Sequence, residues 1–377
     1  MSKLSINQYL GIACAIITSI LIGVFGYLKP FHNWDMIPYV AAAYQYDGLR
    51  NEKLLQATFA EVKAEVTPSE YMELTTGYYR QTLSENPVAL EENINFYSVR
   101  PLYILMIRTI NYYFGTSYLR ATNIISCIFS TLAILTLFLI FNPLNYIEIA
   151  LFPAVMVAVG FPSLARLSTP DAVASFMALL ALWSLLRPSK LGYLIAVVLP
   201  YVRPDYIIFS VLLSIHTYIF VSKRWGVSVL IGALISYVAI AEMMNGYGWV
   251  KTFNFAFIDM TPFPNDAQVS HRVADYVKPY YVCLHEFIHG PLFIPLVASC
   301  LVTLSYNPVR IERVHIFGIS TAFFTLHTMV WPIYETRYFI WCIGITYLVL
   351  IKEASTICGF VSKLSKRGEI RSGGARV

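Results

Sequence analysis

The chain has 377 residues, of which 57% are hydrophobic and only 13% are charged. Soluble globular domains carry about twice that share of charged residues, so the composition excludes an ordinary soluble protein and indicates a membrane protein. The net charge of +5 is small, and the six cysteines lack the spacing of a zinc site or a disulfide framework.

The first apolar segment, Tyr9–Leu28, belongs to a stretch without any charged residue. It is too long for the core of a signal peptide, and no small-x-small cleavage site follows it, so we expect a retained membrane helix. Residues 29–117 form a first polar region, which we predict to be a long outer loop.

Two amphipathic helices are predicted within the first polar region. In Leu49–Val66 the apolar residues recur at helical spacing, and they are Leu55, Phe59, Val62 and Val66. The sequence Thr67-Pro68-Ser69-Glu70 then has the pattern of a capping box with proline at the first helical position, so a second short helix should begin there.

Nine further apolar segments have the length or composition of membrane helices. They are Tyr118–Phe141, Tyr146–Ala165, Ala172–Leu186, Leu191–Val202, Tyr206–Val221, Val227–Met244, Ile288–Tyr306, Val314–Trp331 and Tyr338–Ile351. With the first segment they predict an all-α polytopic membrane protein of about ten spans. The predicted membrane domain covers residues 1–353, with a second polar region at 245–287 and a basic cytoplasmic tail at 354–377.

The segment Val99–Phe114 carries Arg100 and Arg108, and whether it spans the membrane decides the topology. If it does not span, one side of the membrane collects the basic residues of alternate turns and of the tail, which are Arg187, Lys190, Lys223, Arg224, Arg310, Arg313, Lys352, Lys363, Lys366, Arg367, Arg371 and Arg376. By the positive-inside rule this side is the cytoplasm. If it does span, the N-terminus and Asp35 move to the opposite side. We favour ten spans, both termini inside, and Val99–Phe114 as an amphipathic helix on the outer surface.

Asp35 is the most informative residue of the first polar region. It stands between aromatic residues, in the stretch Phe31–Tyr39, directly after the first predicted span. A carboxylate held at a membrane surface loses hydration, so it needs a partner or a function. We interpret Asp35 as a catalytic base; a solvated loop acid is the alternative.

The same topology places several other ionisable residues on the outer side. The segment up to Val202 is short for a full span, so Arg203 should lie in a cavity below the outer headgroups. Residues two apart do not face each other on a helix, and we therefore expect Arg203 and Asp205 to have different partners. Glu335 and Arg337 stand at the start of the last predicted span, and the same argument about charges at membrane depth applies to them. An ion pair with another helix is the structural alternative for each, and a capped turn is the alternative for Arg166 and Asp171.

Four features together resemble the GT-C superfamily of polyprenyl-phosphate-dependent glycosyltransferases, especially the protein O-mannosyltransferases and the lipid A aminoarabinose transferases. They are an acid in the first outer loop, an Arg…Pro-Asp turn, an Arg-Pro-acid step and an acid-x-Arg-Tyr helix start, here Asp35, Arg166 to Asp171, Arg203-Pro204-Asp205 and Glu335 to Tyr338. The resemblance covers about residues 30–340. The first-loop acid is single rather than paired, which leaves the acceptor and the use of a divalent metal open.

The resemblance implies an inverting transfer of a sugar from a polyprenyl-phosphate donor to an acceptor hydroxyl on an envelope glycan or lipid. It implies catalytic roles for Asp35 as base and for Asp171 as a helper or acceptor-positioning acid. The substrate-binding residues would be Arg100, Arg166, Arg203, Asp205, Glu335, Arg337 and Tyr338, with Arg203 and Arg337 on the phosphate. Arginine suits this task because its planar fork binds two oxygens at once.

The same resemblance implies a multi-pass protein of the plasma membrane, which is the inner membrane in a bacterium, with the active site facing outside. The bilayer, the lipid-linked donor and the acceptor are the expected partners, and nucleic acid is not one. No cofactor is required, and a divalent metal is possible. The leaving phosphate is a weak base, so no strong general acid is required either.

A competing signal is His285-Glu286-Phe287-Ile288-His289, which matches H-E-x-x-H and would suit an integral-membrane zinc metalloprotease. Gly290-Pro291 follows at once. Since proline disfavours helix in the residue before it, the helix should break after His289, and Pro291 should open a new span. A glycan polymerase or flippase acting on lipid-linked glycans is a further alternative, although the sequence shows no internal repeat of the kind transporters carry.

Overall fold

The computed structural model describes residues 5–142, 145–187, 189–244, 246–305 and 311–373. Every regular element within these ranges is helical, which confirms the predicted all-α fold. Helix α1 (Ile6–Leu28) begins at a capping box in which Ser5 and Gln8 exchange side-chain to backbone hydrogen bonds.

Six helices occupy the first polar region. They are α2 (Met36–Tyr46), α3 (Asn51–Glu65), α4 (Pro68–Thr75), α5 (Tyr78–Glu85), α6 (Pro87–Ser98) and α7 (Pro101–Phe114). Both predicted amphipathic helices are present, since the four apolar residues of the Leu49–Val66 pattern are buried and Thr67 forms the capping box that starts α4. Helix α2 packs against α3, α6 and α7.

The middle of the chain forms seven helices joined by short turns. They are α8 (Tyr118–Phe141), α9 (Tyr146–Val159), α10 (Phe161–Arg166), α11 (Asp171–Leu185), α12 (Leu191–Val198), α13 (Ile207–Phe220) and α14 (Lys223–Met243). The predicted single segment Tyr146–Ala165 is therefore two helices, because Gly160 takes a left-handed backbone with φ of 103°. Between α12 and α13 the chain forms two 3-10 turns, Leu199–Tyr201 and Pro204–Tyr206.

Five helices complete the described chain, namely α15 (Gly248–Phe257), α16 (Val273–His289), α17 (Phe293–Ser305), α18 (Ile311–Val330) and α19 (Thr336–Gly373). Helix α19 continues without a break through the predicted start of the basic tail at residue 354. Of the basic residues used to predict the topology, Arg310 and Arg376 lie outside the described residues.

Three described helices are long and apolar enough to cross a membrane, namely α1, α8 and α14. Helices α16 and α17 meet at a bend of 73° and count as a fourth candidate span if the bent pair crosses as one. The shorter apolar helices overlap predicted spans and include α9, α11 and Val314–Val330, which is nearly all of α18. The chain is thus an all-helical protein compatible with a membrane, and ten spans stay a prediction.

Helix α8 lies at the centre of the bundle and packs against α1, α7, α10 and α11. The end of α1 approaches α10 so closely that a Cβ on Gly26 would lie 2.6 Å from the carbonyl oxygen of Ala165. Just beyond, the backbone N–H of Phe31 donates to the carbonyl of Arg166 at 2.8 Å. These contacts hold the start of the first polar region next to the start of α11.

Candidate functional site

Distant parts of the chain meet around a cavity of about 140 Å³. The first polar region, the start of α11, the turn before α13 and the start of α19 each contribute charged side chains to its wall. The charged and hydroxyl-bearing residues of the lining are Asp35, Tyr39, Tyr97, Arg100, Thr169, Asp171, Arg203, Thr252, Arg337 and Tyr338. We call this space the charged cavity.

Asp35 is the residue immediately before α2, yet its side chain does not cap that helix. Its carboxylate accepts hydrogen bonds from Tyr97 Oη at 3.1 Å, Arg337 Nη1 at 2.6 Å and Asn33 Nδ2 at 3.2 Å. Burial by itself would raise the pKa of the Asp35 carboxyl, but the charge and the hydrogen bond of Arg337 outweigh burial and hold this pKa below its ordinary value. Asp35 is therefore ionised at neutral pH.

Asp171 is the first residue of α11 and bridges two arginines. One carboxylate oxygen pairs with Arg203 Nη1, and the other accepts from Thr169 Oγ1 at 2.6 Å and lies 3.9 Å from Arg337 Nε. A helix N-terminus favours a carboxylate because the free backbone N–H groups give it positive character. Asp171 thus lies between Arg203 and Arg337, and Arg337 is also the ion-pair partner of Asp35.

Arg203 and Asp205 bind each other, so the expectation of different partners is wrong. Arg203 Nε lies 3.1 Å from Asp205 Oδ1, and Nη2 lies 2.8 Å from Oδ2. The helix rule does not apply here, because Arg203 has an extended backbone (φ −150°, ψ 114°) just before the turn Pro204–Tyr206. Arg203 is only 5% exposed, and each of its three guanidinium nitrogens donates to Asp171 or Asp205.

Glu335, Arg337 and Tyr338 form a second charged group at the start of α19. Arg337 donates through Nε to Glu335, through Nη1 to Asp35, and through Nη2 to Tyr338 Oη at 3.1 Å. Burial raises the pKa of the Glu335 carboxyl above its ordinary value despite the opposing charge of Arg337. The Tyr338 ring lies under the guanidinium of Arg203, with 4.3 Å from Cζ to the ring centroid.

Arg100 differs from these two arginines because no carboxylate of the described residues lies within ion-pair distance of it. Its Cζ lies 5.7 Å from the Tyr39 ring centroid and 5.6 Å from that of Tyr97. Nη1 donates to the Phe96 carbonyl at 3.1 Å, and the buried Nε has no hydrogen-bond partner in the described chain. An arginine with unused donors on a cavity wall is suited to bind an anion.

A larger cavity of about 300 Å³ lies beside the charged cavity. The two share a wall made of Phe96, Arg100, Arg203, Thr252, Trp331 and Tyr338. The larger cavity has a polar end at Asp205 and His327, and α13, α14 and α15 line the rest mainly with apolar and aromatic side chains. Sequence reasoning did not identify His327, because a lone histidine inside an apolar segment carries no motif.

Arg166 does not line either cavity. Its Nε donates to the carbonyl of Lys29 at 2.6 Å, and its guanidinium lies over the rings of Phe25 and Phe31. This arginine holds the end of α1 against the end of α10. The other eight predicted catalytic and substrate-binding residues contact one another or line the cavities.

The H-E-x-x-H motif lies on α16, which ends at His289 as the Gly-Pro pair predicts. Helix α17 begins at Phe293 rather than at Pro291, since Pro291 and Leu292 form a turn. His285, Glu286 and His289 are exposed, and His289 Nδ1 lies 2.8 Å from the carbonyl oxygen of His285. Within the described chain, no three His, Cys, Asp or Glu side chains are grouped closely enough to hold a metal ion.

Comparisons with known proteins leave the chain without a match: no family model fits it, and no curated protein or solved structure is significantly similar to it. The chemistry of the cavities is therefore the basis on which a function can be assigned.

Proposed function

We propose that this protein is a membrane glycosyltransferase that moves a sugar from a polyprenyl-phosphate donor to an acceptor hydroxyl. The observation that carries the proposal is that the wall of one cavity holds both an ionised carboxylate and an arginine that has no carboxylate partner in the described chain. These groups are Asp35 and Arg100. The reaction needs a base for the acceptor and a fixed positive charge for the departing phosphate.

Asp35 is the proposed base. As the acceptor oxygen bonds to the anomeric carbon from the face opposite the phosphate, the bond from that carbon to the phosphate oxygen breaks, and the acceptor proton passes to Asp35. The configuration of the sugar is inverted. A carboxylate with a lowered pKa is adequate, because the acceptor proton becomes acidic as the new bond forms and phosphate leaves without an acid.

Arg100 is the proposed phosphate contact. Arg203 and Arg337 are already bound to carboxylates, so an incoming phosphate would compete with those acids for the positive charge of the two arginines. Arg100 lies on the wall shared by the two cavities, has no acid within ion-pair distance in the described chain, and carries a buried Nε without a hydrogen-bond partner there. Asp171 and Asp205 then hold Arg203 in place behind it.

The larger cavity suits the lipid part of the donor, because its walls beyond Asp205 and His327 are mostly apolar. The predicted ten-span topology puts Asp35 on the outer face and the basic turns in the cytoplasm. The proposed enzyme therefore acts in the plasma membrane, on an envelope glycan or lipid at its outer surface.

Transfer by the purified protein tests the proposal. The full chain in proteoliposomes is given a panel of radiolabelled polyprenyl-phosphate sugars together with envelope glycans and lipids, and labelled product is counted. We expect Asp35→Asn to lower transfer by about a hundredfold or more, since a positioned base contributes about that much. Asp259→Asn, at an exposed acid outside both cavities, is the matched control and should keep full transfer. Unchanged transfer by a folded Asp35→Asn variant would refute the assignment.

A further inference from the structure

His327 is a buried histidine with a single polar partner. It lies three residues before the end of α18, is 1% exposed, and contacts the rings of Phe323 and Phe339. Its Nε2 lies 2.8 Å from Asp205 Oδ2. Its Nδ1 is buried and has no partner in the described chain. Since a carboxylate only accepts, the ring carries its proton on Nε2 and donates it to Asp205.

Asp205 is held from two sides. Its Oδ2 accepts from both His327 Nε2 and Arg203 Nη2, and its Oδ1 accepts from Arg203 Nε. The Asp205 side chain is nevertheless 26% exposed and lines the larger cavity. It is therefore a carboxylate at the edge of open space, kept in one orientation by its two donors.

Arg100 lines the same cavity as Asp205. A carboxylate that turned into the cavity would be attracted to this arginine, because no acid of the described chain is paired with it and a poorly hydrated cavity strengthens attraction between charges. An internal carboxylate on Arg100 would compete directly with the donor phosphate.

We infer that His327 is a positioning residue that keeps Asp205 on Arg203 and away from Arg100, so that Arg100 stays free to bind an anion. This inference rests on the proposed function, in which Arg100 meets the phosphate of the donor. His327 itself does not touch the ligand; it acts through the orientation of Asp205.

The experiment measures binding of a sugar-free polyprenyl monophosphate to the full-length protein in detergent micelles. His327→Phe keeps an aromatic ring between Phe323 and Phe339 but removes the donor, and His327→Leu repeats the loss with a smaller side chain should the first variant fail to fold. His327→Gln retains an N–H that can reach Asp205. His315→Ala is the control, a histidine on the same helix about 18 Å away.

We expect His327→Phe to weaken binding by about tenfold, the effect of one hydrogen bond to a charged group. His327→Gln and the control should bind like the unmodified protein. Adding Asp205→Asn to His327→Phe should restore affinity, because the competing charge is gone; a role in packing alone would not respond to that second change.

Unchanged binding by His327→Phe would overturn the inference and leave the proposed function standing. An equal loss in the phenylalanine and glutamine variants, unrelieved by Asp205→Asn, would also overturn it and assign His327 to packing. If the unmodified protein does not bind the lipid phosphate at all, the proposed function fails and the inference fails with it.

Discussion

Arg337 Nη1 lies 2.6 Å from Asp35 Oδ2, although 302 positions separate the two residues in the chain. The ion pair joins the first polar region to the start of α19, and both residues line the charged cavity. It also keeps Asp35 ionised in spite of its burial, because the guanidinium charge outweighs the loss of hydration.

This ion pair predicts how stability depends on pH. The folded-state pKa of Asp35 is below its ordinary value of about 3.9, so its contribution to stability is complete above that value and is lost as the pH falls through the lowered pKa. Thermal melts of the wild type and of Asp35→Asn should therefore differ by a constant amount near neutral pH and converge below about pH 4. A difference that disappears near pH 6 or grows in acid would contradict the ion pair.

We expect Arg203 to contribute more to the stability of the protein than to phosphate binding. Arg203→Ala leaves the buried Asp171 and the partly exposed Asp205 without their cation, and we expect it to destabilise the protein by roughly 3–5 kcal/mol. Arg203→Lys should cost less, because one ammonium group replaces the charge but not the two-oxygen fork. Thermal melts measure both effects.

Binding of a polyprenyl monophosphate by the same two variants separates this role from phosphate recognition. In the variants that fold, affinity should fall less than in Arg100→Lys, whose side chain is the proposed contact. Normal stability of Arg203→Ala together with a complete loss of binding would show instead that Arg203 holds the phosphate.

The H-E-x-x-H motif gives a prediction about metal. His285 and His289 are exposed at the end of α16, with no third ligand grouped beside them in the described chain. We expect His285→Ala and His289→Ala to keep most of the transfer activity. Elemental analysis of the purified protein should find far less than one zinc per chain; stoichiometric zinc that both variants lose would favour the metalloprotease.

Topology can be tested by cysteine labelling in sealed cells. In a background without the six natural cysteines, an impermeant reagent should label a cysteine at Val88, an exposed position of α6, and should miss one at Gly374 in the tail. Labelling at Gly374 before the membrane is opened would exclude a cytoplasmic C-terminus. Equal labelling at both positions would place the first polar region and the tail on one side.

Local sequence was sufficient to predict most of the helices. The Thr67 capping box starts α4 as expected, and the apolar segment Tyr118–Phe141 coincides with α8. Such features depend on neighbouring residues in the chain, namely caps, prolines and apolar periodicity. The break at Gly160 was missed because a left-handed residue inside an apolar run leaves the composition unchanged.

The sequence by itself determined which charged residues stand at the ends of apolar segments, and therefore that Asp35, Asp171, Arg203 and Arg337 needed partners. Only the tertiary structure decided which residues those partners are. Arg203 pairs with Asp205, two positions further along the chain, because the backbone at Arg203 is extended rather than helical. His327 donates to the same carboxylate. Within the described residues the tertiary structure also left Arg100 without an acid at ion-pair distance. Pairing depends on distances between residues remote in the chain, which packing sets and no local pattern encodes.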